Sequence, residues 1–263
     1  MKRGPAMIIT LAAAFGALAS CARQQSPRDK TLAALPDWSG VWQSPATFSV
    51  MNPSGRVAGG DDMAVFQRLV PLLHRPPLQP KPAQIYDSIM NDPKALAAGA
   101  AGAKICRMGF PLIMDWFNSV QIAVTAELTY FIFIDGEVRY IYTDGRNHPS
   151  GDDLLPSDLG DSVGHWEGDT LVIDTIGRTA GSLKVTPVML DESAHFVERV
   201  RRLDENTLVD EMTIDDPAQF TQPWKLSFKY NKLPGKVQNV PFNCDENDRN
   251  PVVNGVVTIV PAK

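Results

Sequence analysis

The residues best suited to chemistry stand close together: Tyr142, Asp144, Arg146 and His148. An imidazole titrates near neutral pH, and a carboxylate beside it prepares it as a general base. Asp144 is close enough in sequence to orient His148. The expected acid–base pair is His148 with Asp144, and His195 is a third candidate. Tyr142 and Arg146 are then ligand contacts at a strand end, where loops on a rigid β scaffold carry such groups. The same stretch also has a plain reading. Thr143-Asp144-Gly145-Arg146 is a turn sequence in which Asp144 caps the turn and Arg146 forms a salt bridge.

His195 opens a segment carrying Glu198, Arg199, Arg201 and Arg202. Alternation puts His195, Val197, Arg199 and Arg201 on one face, and Phe196, Glu198, Val200 and Arg202 on the other. A charge on the Phe196 face sits in a polar-lined cavity, or else the Glu–Arg pairs are cross-strand salt bridges on a solvated face. His165, beside Trp166, reads as structural, and His74 precedes Pro76-Pro77. The four histidines are scattered without paired ligand spacing, so no metal site is expected. Residues 245–250 imitate a calcium loop, but Arg249 replaces an oxygen ligand and the required Gly is missing. No nucleophile elbow, phosphate loop or dinucleotide fingerprint occurs, so no cofactor is expected. Met108, Phe110, Met114, Trp116 and Phe117 cluster before the first long strand, either as core or as the mouth of an apolar pocket.

These side chains need a scaffold, and its pattern is β. Segments rich in β-branched and aromatic residues cover Ser119–Thr125, Leu128–Ile134, Val138–Thr143, Ser162–Trp166, Thr170–Ile176, His195–Leu203, Thr207–Ile214, Trp224–Tyr230 and Val237–Asn243. Asp135-Gly136 and Asp144-Gly145 mark turns. Trp224, Leu226, Phe228 and Tyr230 share one face against Lys225, Ser227 and Lys229, the period-two mark of a half-buried antiparallel strand. Trp166-Glu167-Gly168-Asp169-Thr170-Leu171-Val172 is echoed by Leu203-Asp204-Glu205-Asn206-Thr207-Leu208-Val209, one hairpin design used twice. The fold class is mainly β: an antiparallel up-and-down meander closed into a lipocalin-like β-barrel, with a two-sheet sandwich as second choice. A Pro-rich helix/loop insertion covers residues 43–118, with helices near Asp61–Leu73 and Pro82–Met90 and a surface loop over Ala95–Ala103.

Several motifs carry a resemblance. Ile141-Tyr142-Thr143-Asp144-Gly145-Arg146 with His148-Pro149, then Ser162-Val163-Gly164-His165-Trp166-Glu167-Gly168-Asp169-Thr170-Leu171-Val172-Ile173-Asp174-Thr175, resemble a widespread family of uncharacterised exported bacterial proteins. Glu198-Arg199, Thr213-Ile214-Asp215-Asp216-Pro217 with Pro223-Trp224, and Cys244 before Glu246-Asn247 extend the likeness over roughly residues 36–247. The family implies export but no assigned activity. This chain departs from it at Asp158 and Asp161, where relatives tend to carry an aromatic and a His, and at Met189-Leu190-Asp191, where they tend to carry Pro-His-Ser. Gly40-Val41-Trp42 is similar to the Gly-x-Trp element of lipocalin-like barrels, which implies that Trp42 plugs the closed end and borders a ligand.

The N-terminus reads as an export signal: Lys2 and Arg3, an apolar stretch over residues 6–17, then Leu18-Ala19-Ser20-Cys21. The stretch is shorter than the ~20 residues that span a bilayer core, and suits a signal h-region. Small residues before Cys21 resemble a lipobox, which implies acylation of Cys21 with fatty chains such as palmitate. Ala22 rather than Asp follows two positions into the mature chain, compatible with outer-membrane sorting towards the periplasm. The expected organisation is a lipoprotein signal at 1–20, a flexible tether at 21–36 and one barrel-like domain at 37–263. Cys106 and Cys244 are then the remaining thiols, paired as a disulfide or left as separate buried thiols. A net charge of −5 without a basic stripe disfavours nucleic acid. The expected function is an envelope lipoprotein, held to the bilayer through Cys21, that binds a small apolar or amphipathic molecule in a β-barrel pocket. The alternatives are an enzyme of the same fold, hydrating, isomerising or hydrolysing an apolar substrate with His148 and Asp144, and a structural envelope module.

Overall fold

The computed structural model describes residues 32, 34–44, 74–92, 109–114, 119–183 and 186–235, and the short strand pairs at 252–253 and 256–257. Cys21, Cys106 and Cys244, the signal segment, the region 45–73, the loop at 95–103 and the strand expected at Val237–Asn243 lie outside the described residues, as do Met108, Trp116 and Phe117.

The chain is mainly β. Nine strands close into a barrel: β1 (Val41–Gln43), β2 (Ser119–Val124), β3 (Leu128–Phe133), β4 (Val138–Tyr142), β5 (Asp161–Glu167), β6 (Thr170–Ile176), β9 (His195–Asp204), β10 (Thr207–Asp215) and β11 (Trp224–Lys232). A small separate hairpin, β7 (Gly181–Ser182) and β8 (Met189–Leu190), lies between β6 and β9 in the chain. Among the described residues one α-helix, α1 (Pro80–Met90), stands where the sequence predicts a helix, with proline at its start. Among the described residues no helix is long and apolar enough to cross a membrane.

Going round the barrel, the order is β1, β11, β10, β9, β6, β5, β4, β3, β2 and back to β1. A ring of strands that alternate in direction closes only with an even number. With nine strands one neighbouring pair must be parallel, and it is β4–β5, through Ile141↔Ser162 and Tyr142↔Val163. Parallel neighbours need a long crossover instead of a hairpin. That crossover, residues 143–160, carries Arg146 and His148. Both copies of the echoed motif form hairpins, β5–β6 and β9–β10, the second with a bulge at Thr207/Leu208. Gly168 turns the first of them at φ 64°, a conformation that suits glycine.

The described inward side chains pack as one apolar core. Phe131, Phe133, Ile141, Leu171, Ile173, Phe196, Val200, Leu208, Met212, Ile214 and Phe228 are buried on the inward faces. Residues 109–114 pack among them, with Phe110, Leu112, Ile113 and Met114 fully buried. Phe110 meets Phe196 edge-on at 4.8 Å between centroids. The Tyr230 hydroxyl donates to the Met114 carbonyl, and Arg178 Nε donates to the Phe110 carbonyl. Phe110 and Met114 are therefore core. Burying a side chain of this size stabilises by roughly 1.5–3 kcal/mol.

Candidate functional site

Three groupings stand out: a polar network inside the barrel, a His–Asp chain on its outer wall, and an apolar groove beside α1.

The internal network starts at Arg139. Alternation along β4 makes Val138, Tyr140 and Tyr142 the expected apolar side, but the structure turns Arg139 and Ile141 inward and leaves Tyr140 49% exposed. The reason is non-local: Arg139 has partners inside. Its guanidinium lies 4.1 Å from the Phe110 ring centroid. It donates to Glu198 Oε1 at 2.9 Å and also to Oε2, and reaches Thr175 Oγ1 at 2.8 Å and Ser162 Oγ at 3.2 Å. Glu198 is thus an internal group on the Phe196 face, while outward Arg199 pairs with Glu167 at 2.7 Å. Asp210, on the inward face of β10, is also fully buried. Its carboxyl oxygens meet no N–H or O–H donor among the described residues. Burial first, then the negative charge of Glu198, holds its pKa well above the ordinary carboxylate range. In the protonated form Asp210 carries its own donor, whereas a buried polar group left without a partner costs about 1–3 kcal/mol. Sequence reasoning singled out Glu198 by alternation and missed Arg139 and Asp210.

The second grouping collects His148 and His195. His148 Nδ1 lies 2.5 Å from Asp161 Oδ1, and His148 Nε2 lies 3.0 Å from Asp174 Oδ1. His195 Nε2 is 2.9 Å from both oxygens of Asp174. Asp161 and Asp174 are on outward positions of β5 and β6, because Ser162 and Thr175 beside them point in. The crossover therefore lays His148 on the outer wall. The expected partner Asp144 is engaged elsewhere: its carboxylate takes Arg146 Nη2 at 2.6 Å and Nε at 3.0 Å. Arg146 holds the Asp144 carboxyl below the usual carboxylate range. The plain turn reading describes this pair, and a local turn ion pair outcompetes the imidazole. Arg146 also stacks over Tyr142, 3.9 Å from its centroid. Tyr142 lines a cleft of about 200 Å³ with Arg139, Asp161 and Ser162, where β4 and β5 pair over only two positions. Trp42 is fully buried, with Nε1 donating to the Trp38 carbonyl at 2.9 Å, and belongs to the core cluster. Gly40 before it adopts φ 127°.

The third grouping was not legible in the sequence. The 76–80 segment is stitched to the turn after β10: Gln79 N donates to Gln219 O at 2.7 Å, Thr221 N to Pro77 O at 2.7 Å, and Gln79 Nε2 to Phe220 O at 3.1 Å. Buried Asp216 fixes that turn by accepting from the backbone N–H of Asp191 at 2.8 Å and of Gln219 at 3.2 Å. The resulting groove, about 600 Å³, is lined by Leu78, Pro80, Pro82, Ile85, Pro187, Met189, Pro217 and Ala218, with Gln79, Gln219 and Lys81 as its polar members. Ile85 and Met189 keep 47% and 42% exposure there.

The class of protein defined by this architecture is a closed, mainly antiparallel β-barrel with a buried apolar core and an apolar groove at its surface. Comparisons with family models, curated proteins and solved structures returned no match to this chain.

Proposed function

We propose that the protein is an envelope lipoprotein, anchored through Cys21, that binds a small amphipathic molecule with an apolar body and an anionic end. The ligand sits in the groove beside α1. The observation that carries this reading is the groove itself. Its volume lies in the ~300–1,000 Å³ range of small-molecule sites. Its lining is apolar, it is held in shape by backbone hydrogen bonds, and Lys81 is the one charged side chain among its lining residues.

The test is displacement of anilinonaphthalene sulfonate by dodecanoate, followed by fluorescence. Ile85→Asp should weaken dodecanoate tenfold or more with the melting temperature unchanged. Lys81→Gln should weaken dodecanoate but leave neutral dodecanol unaffected. Equal binding by Ile85→Asp and the parent protein rejects the groove. A second reading, a structural envelope module, is favoured by the large apolar core, and it is the outcome if neither amphiphile binds saturably.

A further inference from the structure

The buried carboxylate of Asp216 stands where the walls of the groove meet. Its Oδ2 accepts from the backbone N–H of Asp191 at 2.8 Å, and its Oδ1 accepts from that of Gln219 at 3.2 Å. Asp191 directly follows β8, so the first bond holds the wall that carries Pro187 and Met189. The second holds the wall of Pro217, Ala218 and Gln219. The third wall, residues 78–82, hangs on the same turn: Gln79 N donates to Gln219 O at 2.7 Å, and Gln79 Nε2 donates to Pro217 O at 3.3 Å. One fully buried side chain thus fastens the turn on which the whole groove is assembled.

The strength of that fastening depends on charge. Hydrogen bonds to an ionised oxygen are roughly twice as strong as neutral ones. On protonation one carboxyl oxygen becomes a hydroxyl, itself a donor, and the N–H groups facing the carboxyl keep a weaker acceptor. Burial pushes the Asp216 carboxyl above its ordinary value, and the negative charge of Asp191 adds to this, against the backbone N–H groups of Asp191, Gln219 and Ala218 that favour the ionised form. Asp191 stays charged meanwhile, because Ser193 holds its carboxyl below the usual carboxylate range. On the neighbouring elements, Asp215 at the end of β10, Glu192 before β9 and Lys81 on α1 are the other titratable groups, and all three are exposed.

We propose that Asp216 is a positioning residue whose ionised form holds the groove in its binding shape and whose protonation releases the ligand. The inference rests on the groove reading. Linkage gives the sign. Affinity is full above the folded-state titration point of Asp216 and falls as pH drops through it, and bound ligand moves that titration point down by the same factor.

Neutral dodecanol tests it, because it has no group that titrates in this range. Between pH 7 and pH 4, occupancy is read from the Met189 methyl resonance and the state of Asp216 from its carboxyl carbon-13 shift. The parent should lose roughly fivefold or more in affinity through the Asp216 titration, and saturating dodecanol should lower that titration point by about 0.7 pH unit or more. Asp216→Asn should bind more weakly than the parent at pH 7, with an affinity that stays constant over the range. Asp191→Asn keeps its backbone N–H and loses a negative charge, so the profile should move to lower pH. If Asp216→Asn does not fold, the dodecanol-induced shift in the parent decides alone. An affinity that is the same at both ends of the range, or an Asp216 titration point unmoved by dodecanol, overturns the proposal and leaves the groove standing. No dodecanol binding at pH 7 rejects the groove, and the release device with it.

Discussion

Arg139 and Glu198, 59 positions apart in the sequence, form a two-pronged ion pair in the barrel interior, with both side chains buried. Breaking a buried pair by removing one partner strands the other charge, whereas replacing both with apolar groups avoids that cost. Arg139→Met should therefore destabilise by ~3–5 kcal/mol. The double change Arg139→Met with Glu198→Leu should recover most of the loss. Denaturant unfolding of the two variants and the parent measures the difference.

Asp210 makes stability depend on pH in a defined direction. Its folded-state pKa is raised, by burial and by Glu198. Below the unfolded carboxylate value, about 3.9, it is protonated in both states and costs nothing. As pH rises from there towards the raised folded value, the unfolded chain ionises and the folded chain does not, so stability falls. Asp210→Asn stays neutral and still offers an N–H donor to Glu198. Its melting temperature should match the parent near pH 4 and exceed it increasingly towards neutrality. A constant offset at all pH values would count against a protonated Asp210.

Asp161 and Asp144 should differ in their hold on His148. Asp161 bonds the ring directly, while Asp144 is taken by Arg146. Asp161→Asn should move the His148 imidazole resonances, and Asp144→Asn should leave them in place. Proton–nitrogen spectra of the histidine side chains distinguish the two.

The anchor has its own test. Cys21→Ser should release the protein from membranes and abolish fatty-acid labelling. Non-reducing peptide mapping of the mature protein should recover Cys106 cross-linked to Cys244. Membrane association that survives the substitution, or two free thiols, contradicts these expectations.

Strand positions were legible because alternation is a local property. Trp224, Leu226, Phe228 and Tyr230 can share a buried face only if β11 is a strand, and all four are buried. The repeated turn before Thr-Leu-Val likewise specifies two hairpins without reference to the rest of the chain. β4 shows where that reasoning stops. Val138, Tyr140 and Tyr142 look like the inward face, yet Arg139 and Ile141 point in. Pattern alone does not contain Glu198, Thr175 and Phe110, which neutralise, bond and cover the guanidinium. The odd strand count decided the rest of the outer site. It forces one neighbouring pair to run parallel, here β4 and β5; the crossover that joins them lays His148 over β5 and β6, and Asp161, Asp174 and His195 meet it there. Those four residues are spread over residues 148–195, so no spacing rule could have grouped them. Closure of the barrel brings them together.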